Sequence, residues 1–324
     1  MMGQTQSIEF VAFCLQAAPG VGASTLRTVL KRLGQEQLAP ETLFQLDDHS
    51  LLLRFGLKPS AVAALREPGD ETLETWQRLK AESVRILVWG QTGYPTRLYS
   101  LLRDTAPPLL FLLGGLDCFG RPAVGFCGSR RASAKGLRVA HDCAHLLAKQ
   151  QITVVSGYAP GVDLAAHRAA LEAGGTTTVV LPEGILHFRV KSEIRDLLSA
   201  GDFSRIAVVS EFPPGLPWRA HNAMARNRTI CGLSHALIVI ESGRDGGTFE
   251  AGKAALALGE PLFCIEYAET PPEAAGNPYF LKHGAFSLKR APSGEPNLSR
   301  LMSVVRQGGS NFGRPPQREL LLHE

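Results

Sequence analysis

Apolar positions along this chain fall into two regimes. Over residues 7–85 they recur at helical spacing: Ile8, Val11, Ala12 and Leu15 share one helical face, and Leu26, Val29, Leu30 and Leu33 share another. Shorter helices are expected near 41–46, 51–55 and 59–65, with no strand pattern between them. From Pro107 the pattern changes. Brief runs of consecutive apolar residues alternate with amphipathic stretches, the signature of a mostly parallel sheet wrapped by helices. The runs predict strands at 109–113, 123–127, 152–155, 177–181, 205–209, 236–240 and 261–265, and helices near 134–149, 162–173, 191–199, 222–233 and 248–258. A doubly wound α/β domain over 86–305 therefore follows a small helical domain over 1–85, and a Gly/Pro/Arg/Gln-rich stretch over 306–324 is expected to be a flexible tail.

Composition narrows the class more than the chemistry. With 324 residues, 44% of them hydrophobic and 20% charged, the chain has the makeup of a globular protein with one large and one small domain. A net charge of +4 permits a polyanionic partner without requiring one. Six cysteines (Cys14, Cys118, Cys127, Cys143, Cys231, Cys264) form no C-x-x-C pair and sit mostly in apolar runs, so they read as small buried hydrophobes of a reducing compartment. The polar N-terminus lacks a basic region ahead of an apolar stretch, and no apolar run approaches the roughly 18 residues of a membrane span. No membrane association and a cytoplasmic location are expected.

Ligands of open α/β sheets bind at the carboxyl ends of strands, and four strand ends here carry suitable residues. In Gly128-Ser129-Arg130-Arg131, small residues let a phosphate approach backbone N–H groups and an arginine can fork onto its oxygens. Ser156-Gly157 leads through Gly161-Val162-Asp163 into a helix, where Asp163 suits a helix start and His167 a packing role; no nucleophile with an orienting partner accompanies them. In Phe188-Arg189-Val190-Lys191 an aromatic is interleaved with cations, which fits base stacking and fits equally a loop whose Phe188 is core. Trp218-Arg219 is a weaker pair of the same kind. The fourth end gathers Arg226-Asn227-Arg228, the apolar run 236–240, and Gly246-Gly247-Thr248 as a phosphate-facing turn. Gly247 to Ala254 fits G-x-x-x-x-G-K, but Ala254 stands where a P-loop needs the Ser or Thr that holds magnesium, so Gly252 and Lys253 are expected inside the helix. No cofactor or metal is implied. Among the N-terminal helices, Pro19-Gly20-Val21-Gly22 suits either a hairpin facing a DNA phosphate or a plain connection. Lys31 and Arg32 are the only strong cations near it, which favours the connection.

Several of these segments, in this order, resemble the DNA-processing protein A (DprA/Smf) family: Tyr94-Pro95, Pro107-Pro108-Leu109-Leu110-Phe111, Gly128-Ser129-Arg130, Ser156-Gly157 with Gly161-Val162-Asp163 and Ala166-His167, Ser210-Glu211-Phe212-Pro213-Pro214-Gly215, and Arg226-Asn227-Arg228 with Gly232-Leu233-Ser234. The likeness runs over about 93–285, and the helical N-terminus is similar to the family's small SAM-like domain. The resemblance implies an extended Rossmann-like domain that binds single-stranded DNA without catalysis, forms a homodimer, and passes the strand to the RecA recombinase in natural transformation. It implies a pocket lined by Ser129, Arg130, Ser156, Gly157, the 188–191 loop, Arg226, Asn227 and Arg228. The winged-helix domain found at the C-terminus of many members is expected to be missing. One departure keeps an enzyme in view. Gly246-Gly247-Thr248-Phe249-Glu250 is closer to the Gly-Gly-x-Gly-Thr-x-x-Glu motif of lysine-decarboxylase-like nucleotide phosphoribohydrolases, for which Glu250 with Arg226 or Arg228 supplies the candidate groups. A nucleotide-sensing module without turnover is the third alternative.

Overall fold

The structure is a computed structural model that describes residues 7–198 and 202–308. Nine strands are described: β1 Arg85–Val88, β2 Leu109–Gly114, β3 Ala123–Cys127, β4 Thr153–Ser156, β5 Thr177–Val180, β6 Ile206–Ser210, β7 Leu237–Val239, β8 Leu262–Ile265 and β9 Phe286–Leu288. The chain divides into two compact units, the first made of residues 1–114, 181–189 and 207–222, the second of 115–180, 190–206 and 223–324.

In the first unit, helices α1 Ile8–Ala17, α2 Ala23–Gln35, α3 Thr42–Gln45, α4 Asp48–Leu53, α5 Pro59–Arg66 and α6 Asp70–Ala81 are followed by α7 Thr96–Leu102. Helix α1 buries Val11, Ala12, Phe13, Cys14 and Leu15 in succession, more than one amphipathic stripe, because partners surround it. The Phe13 ring meets Phe111 of β2 edge-on at 6.4 Å, and Phe10 meets Trp76 of α6 at 5.0 Å, so the helices pack directly on the strands. Strand β2 is antiparallel to β1 (Ile86 opposite Phe111) and to β6 (Phe111 opposite Ser210). β1 starts where the expected helical stretch ends and no strand was expected there; three apolar residues after a polar helix end are too few to show strand alternation.

The second unit holds six parallel strands in the order β5-β4-β3-β7-β8-β9, with α8 Ala134–Lys149, α9 Val162–Glu172, α10 Ser192–Arg195, α11 Ala220–Ala225 (shared with the first unit), α12 Asn227–Leu233, α13 Gly246–Ala257, α14 Asn277–Lys282 and α15 Ser299–Arg306. Alternation along β3 shows why helices cover both faces. Val124 and Phe126 enter the core with Val139, Ala140, Ala166 and Ala170 of α8 and α9, while Gly125 between them faces α12, where an added Cβ would lie 3.3 Å from Ile230. All six cysteines are buried. The seven expected strands are present, and β1, β9, α6, α7, α14 and α15 are additional. The helix expected over 222–233 is two helices that break at Arg226, and α10 is shorter than the expected 191–199. Of the expected tail, residues 309–324 lie outside the described residues.

The chain runs β3, β4, β5 in one direction and then β7, β8, β9 in the other. The order thus reverses between β3 and β7, the place where an open α/β sheet presents a crevice at its carboxyl ends.

Candidate functional site

The loop after β3 is fixed from both sides. Ser129 N–H donates to the Glu241 carbonyl just beyond β7 at 2.9 Å, and the Ser129 carbonyl accepts from Val162 N–H at the head of α9 at 3.4 Å. The Ser129 hydroxyl accepts from Arg131 N–H at 3.0 Å. Glycines make this closure possible. A Cβ on Gly128 would stand 2.4 Å from Val162, and Gly161 holds φ +85° with its missing Cβ 2.4 Å from the Ser129 carbonyl. Arg130 and Arg131 are consequently carried outward, and both are exposed.

Beneath this surface lies a buried polar cluster. Ser156 is fully buried and donates its hydroxyl to the Phe126 carbonyl at 2.7 Å. A Cβ on Gly157 would meet the Arg226 guanidinium at 2.1 Å and the Asp163 carboxylate at 2.5 Å, so this glycine is the floor on which the two charges meet. Burial pushes the Asp163 carboxyl up, and Arg226 and the Ala159 N–H, donating at 3.2 Å, pull it back. His167 is completely buried, with Nε2 2.6 Å from the Gly157 carbonyl and Nδ1 2.6 Å from the Thr177 hydroxyl. Burial drives its imidazole down to about 4, with Arg226 and Lys191 adding to the shift. At neutral pH it is an uncharged brace: Nε2–H donates to the Gly157 carbonyl, which has no proton to offer, and Nδ1 lies against the Thr177 hydroxyl, which is also 2.9 Å from the Val154 carbonyl.

Arg226 and Asn227 are buried and Arg228 is exposed. Asn227 reaches the Gly247 carbonyl at 3.3 Å, which ties this segment to the start of α13. Gly246, Gly247 and Thr248 form the first turn of α13 rather than a loop ahead of it. Gly246 (φ +83°) and Gly247 have open space where a Cβ would sit, so their backbone faces solvent. Gly252 and Lys253 lie inside α13, as the P-loop mismatch predicted. The structure thus brings together Gly128-Ser129-Arg130, Ser156-Gly157, Arg226-Asn227-Arg228 and Gly246-Gly247-Thr248. Lys191 joins them through Tyr158: its ammonium donates to the Tyr158 carbonyl and lies 4.5 Å from the ring centroid, and its backbone N–H donates to the Tyr158 hydroxyl at 2.9 Å. Phe188 and Arg189 belong to the first unit. There Phe188 is 8% exposed, the core alternative, and Arg189 is exposed with its guanidinium on the Leu186 and Phe188 carbonyls at 3.1 and 2.6 Å. Trp218 is 48% exposed.

Two carboxylates bear on chemistry. Glu250 is exposed and bridges to Lys253 one turn on at 3.1 Å, the environment of an ordinary surface glutamate. Glu241 was not singled out in the sequence and is fully buried; it accepts from Ser133 N–H (2.8 Å), the Ser133 hydroxyl (2.6 Å) and the Tyr267 hydroxyl (3.1 Å). A charged residue directly after an uninterrupted apolar strand was the signal that could have found it. Among the described residues, no three His, Cys, Asp or Glu side chains group to hold a metal ion, and no helix is long and apolar enough to cross a membrane.

Comparison with known proteins agrees with this architecture. The family described as DNA recombination-mediator protein A matches residues 85–293. Protein Smf of Escherichia coli K12 is 33% identical over 71% of this chain and 61% of its own length. A putative DNA processing protein DprA of Mycobacterium tuberculosis is 34% identical over 57% of this chain and 48% of its own. The chain thus spans about half the length of the first curated relatives it matches. Among solved structures, DNA processing protein A from Streptococcus pneumoniae superposes with a TM-score of 0.71 at 26% identity, covering 87% of this chain and 94% of that one. DNA processing protein A from Helicobacter pylori, whose structure concerns its single-stranded DNA binding mode, shares the fold with a TM-score of 0.55 at 20% identity, covering 69% of this chain and 94% of its own.

Proposed function

From the premise that this chain belongs to the DNA recombination-mediator protein A family, we propose that it binds single-stranded DNA across the carboxyl ends of β3, β4 and β7 without turning it over. The observation that carries the reading is a division of labour around the strand-order reversal. Arg130 and Arg228 are exposed and the backbone of Gly246 and Gly247 is open, while the buried carboxylates Asp163 and Glu241 are engaged by protein donors. Phosphates of a single strand need tracking cations and backbone N–H groups, and no reacting group. In this reading Arg130, Arg228 and the first turn of α13 touch the strand, Lys191 adds positive potential, and Arg226, Ser156, Gly157 and Asn227 hold the loops that present them.

Titration of labelled oligo-dT tests this. Binding is expected to weaken steeply with salt, and Arg130→Ala or Arg228→Ala should each cut affinity about tenfold and flatten the log–log salt slope by about 0.7 for each phosphate no longer neutralised. Salt-independent binding, or variants that bind like the parent, would overturn it. Release of free base from a nucleoside monophosphate, abolished by Glu250→Gln, would replace it with the hydrolase reading. The same proposal extends to protecting incoming strands, homodimerisation, recombinase loading and a cytoplasmic setting. Light scattering of the protein and recombinase nucleation on protein-coated oligonucleotides check the dimer and the loading.

A further inference from the structure

The first unit contains a cleft of about 450 Å³ lined by Trp89, Tyr99, Ser100, Arg103 and Asp104, separate from every residue assigned above. Its most informative feature is the backbone of Arg103. At φ +46° and ψ −122° it ends α7 in a conformation that glycine adopts readily and arginine does not. Among the described residues, the other non-glycine residues with positive φ, Gln37, Ser83 and Gln151, are polar residues just past helix ends. Arg103 is held in place by its own N–H donating to the Tyr99 carbonyl, and by its carbonyl accepting from Ala106 N–H at 3.1 Å and Trp89 Nε1 at 3.4 Å. Glycine would satisfy all three bonds without strain, so what arginine adds there is its side chain, and strain of this kind collects where a ligand is clamped.

The rest of the lining indicates what that guanidinium serves. Tyr99 is 40% exposed and packs on the buried Trp89 with ring centroids 5.3 Å apart, which fixes an aromatic face open to solvent. Asp104 is exposed next to Arg103, and Lys31 approaches its carboxylate at 3.8 Å. The cleft therefore offers a stacking face, a carboxylate able to accept from the N–H groups of a base edge, and the Arg103 guanidinium, with Lys31 beside that carboxylate.

We infer that this cleft binds a nucleotide, with the base on Tyr99, a base edge or sugar hydroxyl on Asp104 and the phosphate on Arg103. A free nucleotide and a nucleotide within a strand present the same chemistry. The cleft is independent of the site on the second unit, and one experiment separates the two. Trp89 reports occupancy: its emission is followed in the full chain carrying Trp76→Phe and Trp218→Phe, titrated with each nucleoside monophosphate and with short oligonucleotides at low salt. Saturable quenching is expected, weakened about tenfold by Tyr99→Ala and by Arg103→Gly, while Arg103→Gly raises the melting temperature because the strain is gone. Quenching by monophosphates identifies a free nucleotide as the ligand; quenching by oligonucleotides alone identifies the strand. Absence of both, or an Arg103→Gly variant that binds like the parent, overturns the inference and leaves oligo-dT binding through Arg130 and Arg228 untouched. Should the tryptophan replacements unfold the chain, equilibrium dialysis of the same ligands with the parent protein and Arg103→Gly distinguishes the same outcomes.

Discussion

His167 illustrates how a single side chain sets conditions for the site above it. Its folded state holds the imidazole at about 4 against an ordinary 6.5, so between those values the unfolded chain binds the extra proton and the folded chain does not. The stabilisation is complete above about pH 6.5, erodes as pH falls, and is exhausted near pH 4, for a total on the order of 3 kcal/mol. Asp163, pushed up by burial, works with the opposite sign at the acid end, but it is common to parent and variant. Chemical denaturation at successive pH values should therefore show a steeper loss from pH 6.5 to 4 in the parent than in His167→Gln. Parallel curves would mean that the imidazole is not buried neutral. The sequence supported a packing role for His167, since nothing beside it made a nucleophile. It held no sign that Gly157 would be the shared floor of Arg226 and Asp163, because that meeting depends on loops 69 residues apart, residue 157 against residue 226.

Among elements, α8 shows how the crevice is held open. Its first turn is docked by a carboxylate on another strand: Glu241, one residue past the apolar run that carries β7, accepts the Ser133 N–H and hydroxyl, and the Ser133 hydroxyl accepts from Gly136 N–H at 3.0 Å. Gly136 is glycine because a Cβ would lie 2.4 to 2.6 Å from that carboxylate. Glu241→Ala strands a buried N–H and the Tyr267 hydroxyl and should cost about 3 kcal/mol. Gly136→Ala should be severely destabilising alone, yet nearly neutral in the Glu241→Ala background, where the clashing group is gone; additive costs in urea melts would refute the docking. Element types were legible here, since apolar runs showed β3, β4, β7 and β8 and periodicity showed α8 and α9. The break between α11 and α12 was not, because helical periodicity continues across 222–233 while Arg226 turns inward to Asp163, a tertiary demand that overrides local pattern.

At the scale of the whole chain, the sequence suggested a boundary at residue 85, whereas packing assigns residues 1–114 together with 181–189 and 207–222 to one unit. Periodicity reveals strands but not their partners, and the partner is what decides. β2 has Phe111, Leu112, Leu113 and Gly114 opposite Ser210, Val209, Val208 and Ala207 of β6, a strand nearly a hundred residues later. The first unit is therefore not contiguous, and a fragment ending at residue 114 would leave one edge of β2, whose Leu109 to Leu112 are fully buried in the intact chain, without its antiparallel neighbour. An apolar, unpaired edge of that kind recruits other chains instead of folding alone. Residues 1–114 expressed by themselves should thus be aggregated, or lack the dispersed and protected β2 amides seen in the full chain by NMR and hydrogen exchange. A monomeric fragment with native β2 protection would show that the helices and β1 suffice, and that β6 adds its pairing to a unit already formed.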